Sequence, residues 1–230
     1  GLKEALDRPK LIEKLFATES FEEKYPDLIS RARDSRVSVN LVSEGVLKEL
    51  SDTTTPQGVV AVCGQFHVSI DDVIASKPTL VAFLAQIRDP GNAGTVLRAA
   101  DAAGADAVIF SKGSVDIYNP KVVRSTTGSM FHLPFVIDAE IASSLQKFKD
   151  AGLFVLAADV SGASLSTIPA SDLAKPTMWL FGNEAWGLEP EVSVLADKLV
   201  QVPIFGAAES LNLATAASVC MYASAFAQNS

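Results

Sequence analysis

A chain of 230 residues with 48% hydrophobic content can build one large or two small cores, and its composition is that of a folded soluble protein. A formal net charge of −8 argues against a strongly basic nucleic-acid binder, although a local basic patch counts for more than the sum. Two widely separated cysteines and no secretory signal point to a reduced, cytoplasmic protein, and the few Cys and His residues argue against a structural zinc site, so no metal is expected.

The opening GLKEALDRPK reads as the middle of a helix, which predicts that the native chain starts earlier. KEALDR reads as helix and LIEKLFAT as strand. SFEEKYPDLISRAR reads as one helix, with Ser20 and Glu23 at capping-box spacing. RVSVNLVS alternates like a strand, EGVLKELSD is a short helix and GVVAVCG a buried strand. Residues 1–65 are therefore expected to form a small α/β domain. The stretch 66–78, with polar residues, a short helix signal and Pro78, reads as a linker.

A different rhythm runs over 79–230. The apolar runs LVAFLAQI, AVIF, LPFVI, LFVLAAD, TMWLFG and LVQVPI alternate with helical segments. That order predicts an α/β domain, a mainly parallel sheet with helices on both faces. The long apolar stretch LNLATAASVCMYASAFA is rich in Ala and Ser, so it reads as a buried or interface helix rather than a membrane span.

Three segments follow strand ends in this domain: RDPGNAGTVLRAADAAG (88–104), LFGNEAWGLEPEV (180–192) and VPIFGAAESLNLATAAS (202–218). Open α/β sheets bind ligands beyond the carboxyl ends of their strands, and glycines let backbone approach a ligand. The first turn holds only Gly91 and Gly94, and no acidic strand end follows at the right distance, so a nicotinamide dehydrogenase is disfavoured. No Walker loop is present.

Individually the polar residues have ordinary readings. Arg98 is spaced to pair with Asp101 on a helix surface. Asn92, Ser210 and Asn212 suit helix caps, and Glu184 a solvated loop. The clusters Arg31, Arg33, Arg36 and Lys121, Arg124 are either solvated surface or a local basic patch of the kind a nucleic-acid binder uses.

Taken together, PGNAGTVLRAADAAGADAVIF, LFGNEAWGL and VPIFGAAESLNLATAAS resemble, in order and spacing, motifs 1, 2 and 3 of the SpoU/TrmH-type RNA 2′-O-methyltransferases of the SPOUT class. GSVDIYNPKVVRSTTGSMFHLPF resembles the stretch between the first two motifs, and the first domain is similar to the family's ribosomal-protein-like substrate-binding domain. The resemblance implies a C-terminal trefoil knot and S-adenosylmethionine (AdoMet) as cofactor. Gly182, Asn183, Val202, Ile204 and Leu211 would line its pocket. The implied reaction is methyl transfer to a ribose 2′-hydroxyl of RNA, ribosomal RNA first and transfer RNA second. Arg98 would bind phosphate and stabilise the developing alkoxide, with Asn92, Glu184, Ser210 and Asn212 orienting it, the ribose and the loops. A homodimer with the last helix at its interface is also implied. A non-catalytic RNA- or ribosome-binding protein that keeps the fold is the alternative.

Overall fold

A computed structural model describes residues 1–53 and 55–230. The chain divides into two units, Gly1–Phe66 and His67–Ser230.

In the first unit a short helix, α1 (Leu2–Ala5), precedes strand β1 (Ile12–Ala17). The helix expected from Ser20 is two helices, α2 (Glu19–Lys24) and α3 (Pro26–Asp34). Pro26 fits the first turn of α3 but pushes Tyr25 out of helical geometry (φ −132°, ψ 56°), so the helix breaks there. Thr18, not Ser20, caps α2 by accepting from Phe21 N at 3.2 Å, and Ser20 Oγ donates to Glu44. Strand β2 (Val39–Leu41) runs parallel to β1, Ser43 caps α4 (Glu44–Glu49), and β3 (Val59–Cys63) runs antiparallel to β1, giving sheet order β2-β1-β3.

The second unit begins inside the stretch read as a linker. There α5 (Ile70–Ala75) opens on a capping box of Ser69 with Asp72, and Val73 is buried in the core. The remaining elements are β4 (Leu80–Leu84), α6 (Pro90–Ala102), β5 (Ala107–Ser111), α7 (Pro120–Ser125), β6 (Phe135–Ala139), α8 (Ile141–Asp150), β7 (Phe154–Ser164), α9 (Ala170–Leu173), β8 (Thr177–Phe181), α10 (Pro190–Ser193), β9 (Lys198–Gln201) and α11 (Leu213–Gln228). All six strands are parallel, in the order β6-β5-β4-β8-β7-β9.

Strands β4, β5 and β8 are buried at every position, as a parallel sheet covered on both faces requires. Alternate residues sort to the two faces. Val81, Phe83, Ile109, Val155, Met178 and Leu180 join Val73 of α5 and Leu145 and Phe148 of α8 in one cluster. On the other face Trp179, fully buried, donates Nε1–H to Ser224 Oγ of α11 at 2.9 Å. Helix α6 packs beside α11, and Tyr222 Oη of α11 donates to the carbonyl of Ala102, the last residue of α6, at 3.1 Å. Among the described residues no helix is long and apolar enough to cross a membrane.

Candidate active site

The strand order reverses direction between β4 and β8, so the loops leaving their carboxyl ends open a crevice where open α/β sheets bind ligands. The strands end in register, Leu84 beside Phe181, and Ala85 N donates to Phe181 O at 2.8 Å. Gln86 then takes a left-handed conformation (φ 55°), rare for a residue with a side chain. Both of its backbone groups are held: its N–H donates to Ser111 Oγ at 2.8 Å and its carbonyl accepts from Asn183 Nδ2 at 2.6 Å.

Asn183 and Gly187 exchange backbone hydrogen bonds of 2.9 Å in both directions, closing a tight loop at 183–187. Gly182 is required by this closure, because a side chain there would overlap the backbone of Gly187 and Leu188. Asn183 is buried, and its Oδ1 accepts from Ala185 N at 2.8 Å while its Nδ2 holds Gln86, so its amide is spent on the loop and on the turn after β4.

The loop carries Glu184 to the start of α6. Its carboxylate accepts from Arg88 N (3.2 Å), Asp89 N (3.1 Å) and Asn92 Nδ2 (3.2 Å). These are donors at a helix N-terminus, where the macrodipole favours an anion. Glu184 is thus bound, not a free solvated carboxylate. Asn92 is not the cap of α6: Asp89 is, accepting from Asn92 N at 2.7 Å, and the Asp-Pro pair at 89–90 carried that signal in the sequence. The Asn92 side chain is thereby free to bridge. Its Oδ1 accepts from Asn212 Nδ2 at 2.9 Å, while Asn212 Oδ1 caps α11 by accepting from Ala214 N at 2.9 Å. One chain of hydrogen bonds, Glu184 to Asn92 to Asn212, therefore joins the loops of all three motifs.

Arg98 lies on an exposed position of α6, on the same face as Gly91 and Thr95. It does not pair with Asp101, whose carboxylate faces His132 Nδ1 at 3.0 Å, and it has no ion pair among the described residues. Ser210 is exposed and outside the hydrogen-bonded chain. Gly94 is not a ligand cradle. A side chain there would overlap Ser125 Oγ and the Val122 carbonyl, so this glycine lets α6 lie against α7.

The segment after β9 has a different character. Val202 and Ile204 are half-buried, Phe205 is 93% exposed and Leu211 38% exposed. Among the described residues the backbone of 203–210 makes no hydrogen bond within the chain. Apolar side chains beside uncommitted peptide groups suit a flat, partly polar ring such as adenine. No cluster of His, Cys, Asp and Glu able to hold a metal occurs among the described residues.

The expected RNA-facing cations differ from one another. Arg31 is paired with Asp7, and Arg33 with Glu22 at 2.7 Å. Arg36 is exposed with a left-handed backbone (φ 61°). Lys121 and Arg124 are exposed on α7 and hold no ion pair among the described residues.

Comparison with known proteins agrees with this geometry. The SpoU rRNA Methylase family matches residues 79–222, and the RNA 2'-O ribose methyltransferase substrate binding family matches residues 2–68. The 23S rRNA (guanosine(2553)-2'-O)-methyltransferase RlmP of Bacillus subtilis is 32% identical over 96% of this chain and 84% of its own length. The 23S rRNA (uridine(2479)-2'-O)-methyltransferase of Streptomyces viridochromogenes is 31% identical, over 85% and 69%. A crystal structure of the SpoU methyltransferase AviRb from Streptomyces viridochromogenes, in complex with the cofactor AdoMet, superimposes with a TM-score of 0.83 at 28% identity, over 98% of this chain and 88% of that one. With a family match across most of the second unit and relatives spanning nearly the whole length, the chain belongs to the SpoU rRNA methylase family.

Proposed function

We propose that this protein transfers a methyl group from AdoMet to a ribose 2′-hydroxyl of ribosomal RNA, in the cytoplasm where that RNA is found, and that it does so as a homodimer. The observation that carries the reading is the hydrogen-bonded chain from Glu184 through Asn92 to Asn212, which locks three loops at the start of the helix that bears Arg98, an arginine without an ion pair among the described residues. The first unit presents the RNA and the second performs the chemistry.

The residues present fit the cofactor. Gly182 and Asn183 would supply one wall through backbone, and Val202, Ile204 and Leu211 the other, together with the peptide groups of 203–210 that make no hydrogen bond among the described residues. AdoMet bound there supplies a methyl group already activated by a cationic sulfur. The protein has to hold the 2′-oxygen in line with that methyl and ease the loss of its proton.

Arg98 acts by the charge of its guanidinium, which offers donors and no acceptor. Its guanidinium binds the adjacent phosphate and stabilises negative charge as it grows on the ribose oxygen. Glu184 cannot serve as the base while both its oxygens accept from the start of α6. It and Asn92 fix the helix that bears Arg98, and Asn212 ties that helix to the cofactor segment. Ser210, exposed on that segment, orients the ribose or its phosphate.

The small-residue face of α11 and its exposed Val219 and Phe226 suit contact with a second copy. The segment 202–212 carries the chain from the sheet edge at β9 back to α11 against α6, a course consistent with the trefoil knot implied by the sequence motifs.

The test is transfer of labelled methyl from AdoMet to 23S rRNA, with ribose methylation mapped in cells with and without the protein. A site that disappears with the protein supports the assignment. Transfer RNA labelled in place of ribosomal RNA would change the substrate, and AdoMet binding without transfer to any RNA would favour a non-catalytic RNA-binding role.

A further inference from the structure

The tip of the 183–187 loop carries Trp186, whose indole is 48% exposed. The Arg88 guanidinium lies over this ring, 5.2 Å from its centroid. The two residues are held by the same contact, since Arg88 N donates to Glu184 at 3.2 Å, two positions before Trp186. Neither can drift easily. The loop is closed by the Asn183–Gly187 bridge and anchored through Asn183 to Gln86 O. Glu184 is engaged by backbone donors, and Arg88 has no carboxylate partner among the described residues.

A large aromatic ring is costly to leave half in water, and this one is neither packed into the core nor part of the hydrogen-bonded chain. A rigid indole with a guanidinium on it, at the mouth where Asn92 and Asn212 meet, offers two things. One is a flat apolar face, and the other is a cation that carries hydrogen-bond donors. A nucleobase joined to a phosphate has the complementary pair. We infer that Trp186 and Arg88 form a stacking platform for one unstacked nucleobase of the substrate RNA, positioning its strand for the reaction.

This rests on the RNA methyltransferase reading, yet its test reads binding separately from turnover. Trp179, the second of the chain's two tryptophans, is fully buried, so acrylamide quenching of fluorescence reports Trp186. RNA that the protein methylates should shield Trp186 from acrylamide, and an abasic nucleotide at one position should abolish the shielding. Trp186→Ala should raise KM for RNA by about 5- to 100-fold, the range seen when base stacking on an aromatic is removed. Trp186→Phe should recover most of that loss, and AdoMet affinity should be unchanged in both.

Unshielded Trp186 in saturated complex, shielding by AdoMet instead of RNA, or an unchanged KM in Trp186→Ala would each overturn the platform while leaving methyl transfer intact. Failure of the wild-type protein to methylate any RNA would instead overturn the reading beneath it.

Discussion

Glu184 reaches the first turn of α6 from 92 positions along the chain and accepts the side-chain amide of Asn92 at 3.2 Å. The amide is held on its other side by Asn212, so its orientation is fixed by two partners that each need one end of it. Glu184→Gln must turn a donor toward one of the N–H groups its carboxylate now accepts from. We expect a loss of roughly 1 kcal/mol in a denaturant titration, small because the site is open to water. Asn92→Asp sets two carboxylates against each other and should cost more. The double variant Glu184→Gln with Asn92→Asp restores a donor facing an acceptor, and should be more stable than the sum of the singles predicts.

Among the described residues Arg98 has no ion pair to lose. Arg98→Ala should melt at the wild-type temperature and bind AdoMet normally, yet transfer methyl groups about 10²-fold more slowly or worse. Arg98→Lys keeps charge without the planar fork and should fall between the two. Wild-type turnover in Arg98→Ala would remove the residue from the mechanism.

Charge reversal distinguishes the two basic clusters. Lys121→Glu with Arg124→Glu removes cations that hold no ion pair among the described residues, and should weaken RNA binding and flatten its log–log salt dependence by roughly 1 to 2. Arg31→Glu with Arg33→Glu acts on groups already neutralised by Asp7 and Glu22, so its effect on the salt slope should be smaller. A filter-binding series over salt concentration compares them directly.

Gly94→Ala drives a methyl group into the Ser125 hydroxyl and the Val122 carbonyl. Overpacking of this kind costs about 1–3 kcal/mol. Adding Ser125→Ala should return only part of the stability, because the Val122 carbonyl stays in the way.

Burial pushes the Cys220 thiol up to about 12, and burial with the nearby Glu13 carboxylate also raises Cys63. The unfolded chain ionises these thiols first, so they leave stability intact below pH 9 and erode it as pH rises from there towards 12. Cys220→Ala should show a shallower loss of denaturant midpoint over that interval than wild type. In the native protein Cys220 should resist thiol reagents at pH 8.

The three motif loops and the six strands were legible because they rest on local pattern: continuous apolar runs, and turn residues at their ends. Their partners were not. Nothing near Glu184 in sequence announces that it will hold the backbone of Arg88 and Asp89, because strand order sets that meeting. The split between α2 and α3 was legible in Pro26 once the restriction on the preceding residue is applied. The role of Gly94 was not legible either: a glycine in a motif says that something approaches closely, and only the fold says that it is α7.

Helix α6 is pinned like a beam, by Glu184 and Asn212 at its first turn and by the Tyr222 hydroxyl at its last residue. A guanidinium mounted mid-span inherits its accuracy from both supports. Substitutions at Tyr222, on another helix and joined to α6 through the Ala102 carbonyl, should therefore register as slower chemistry if Arg98 carries the reaction, and a survey of rate-altering positions would trace the supports as well as the crevice.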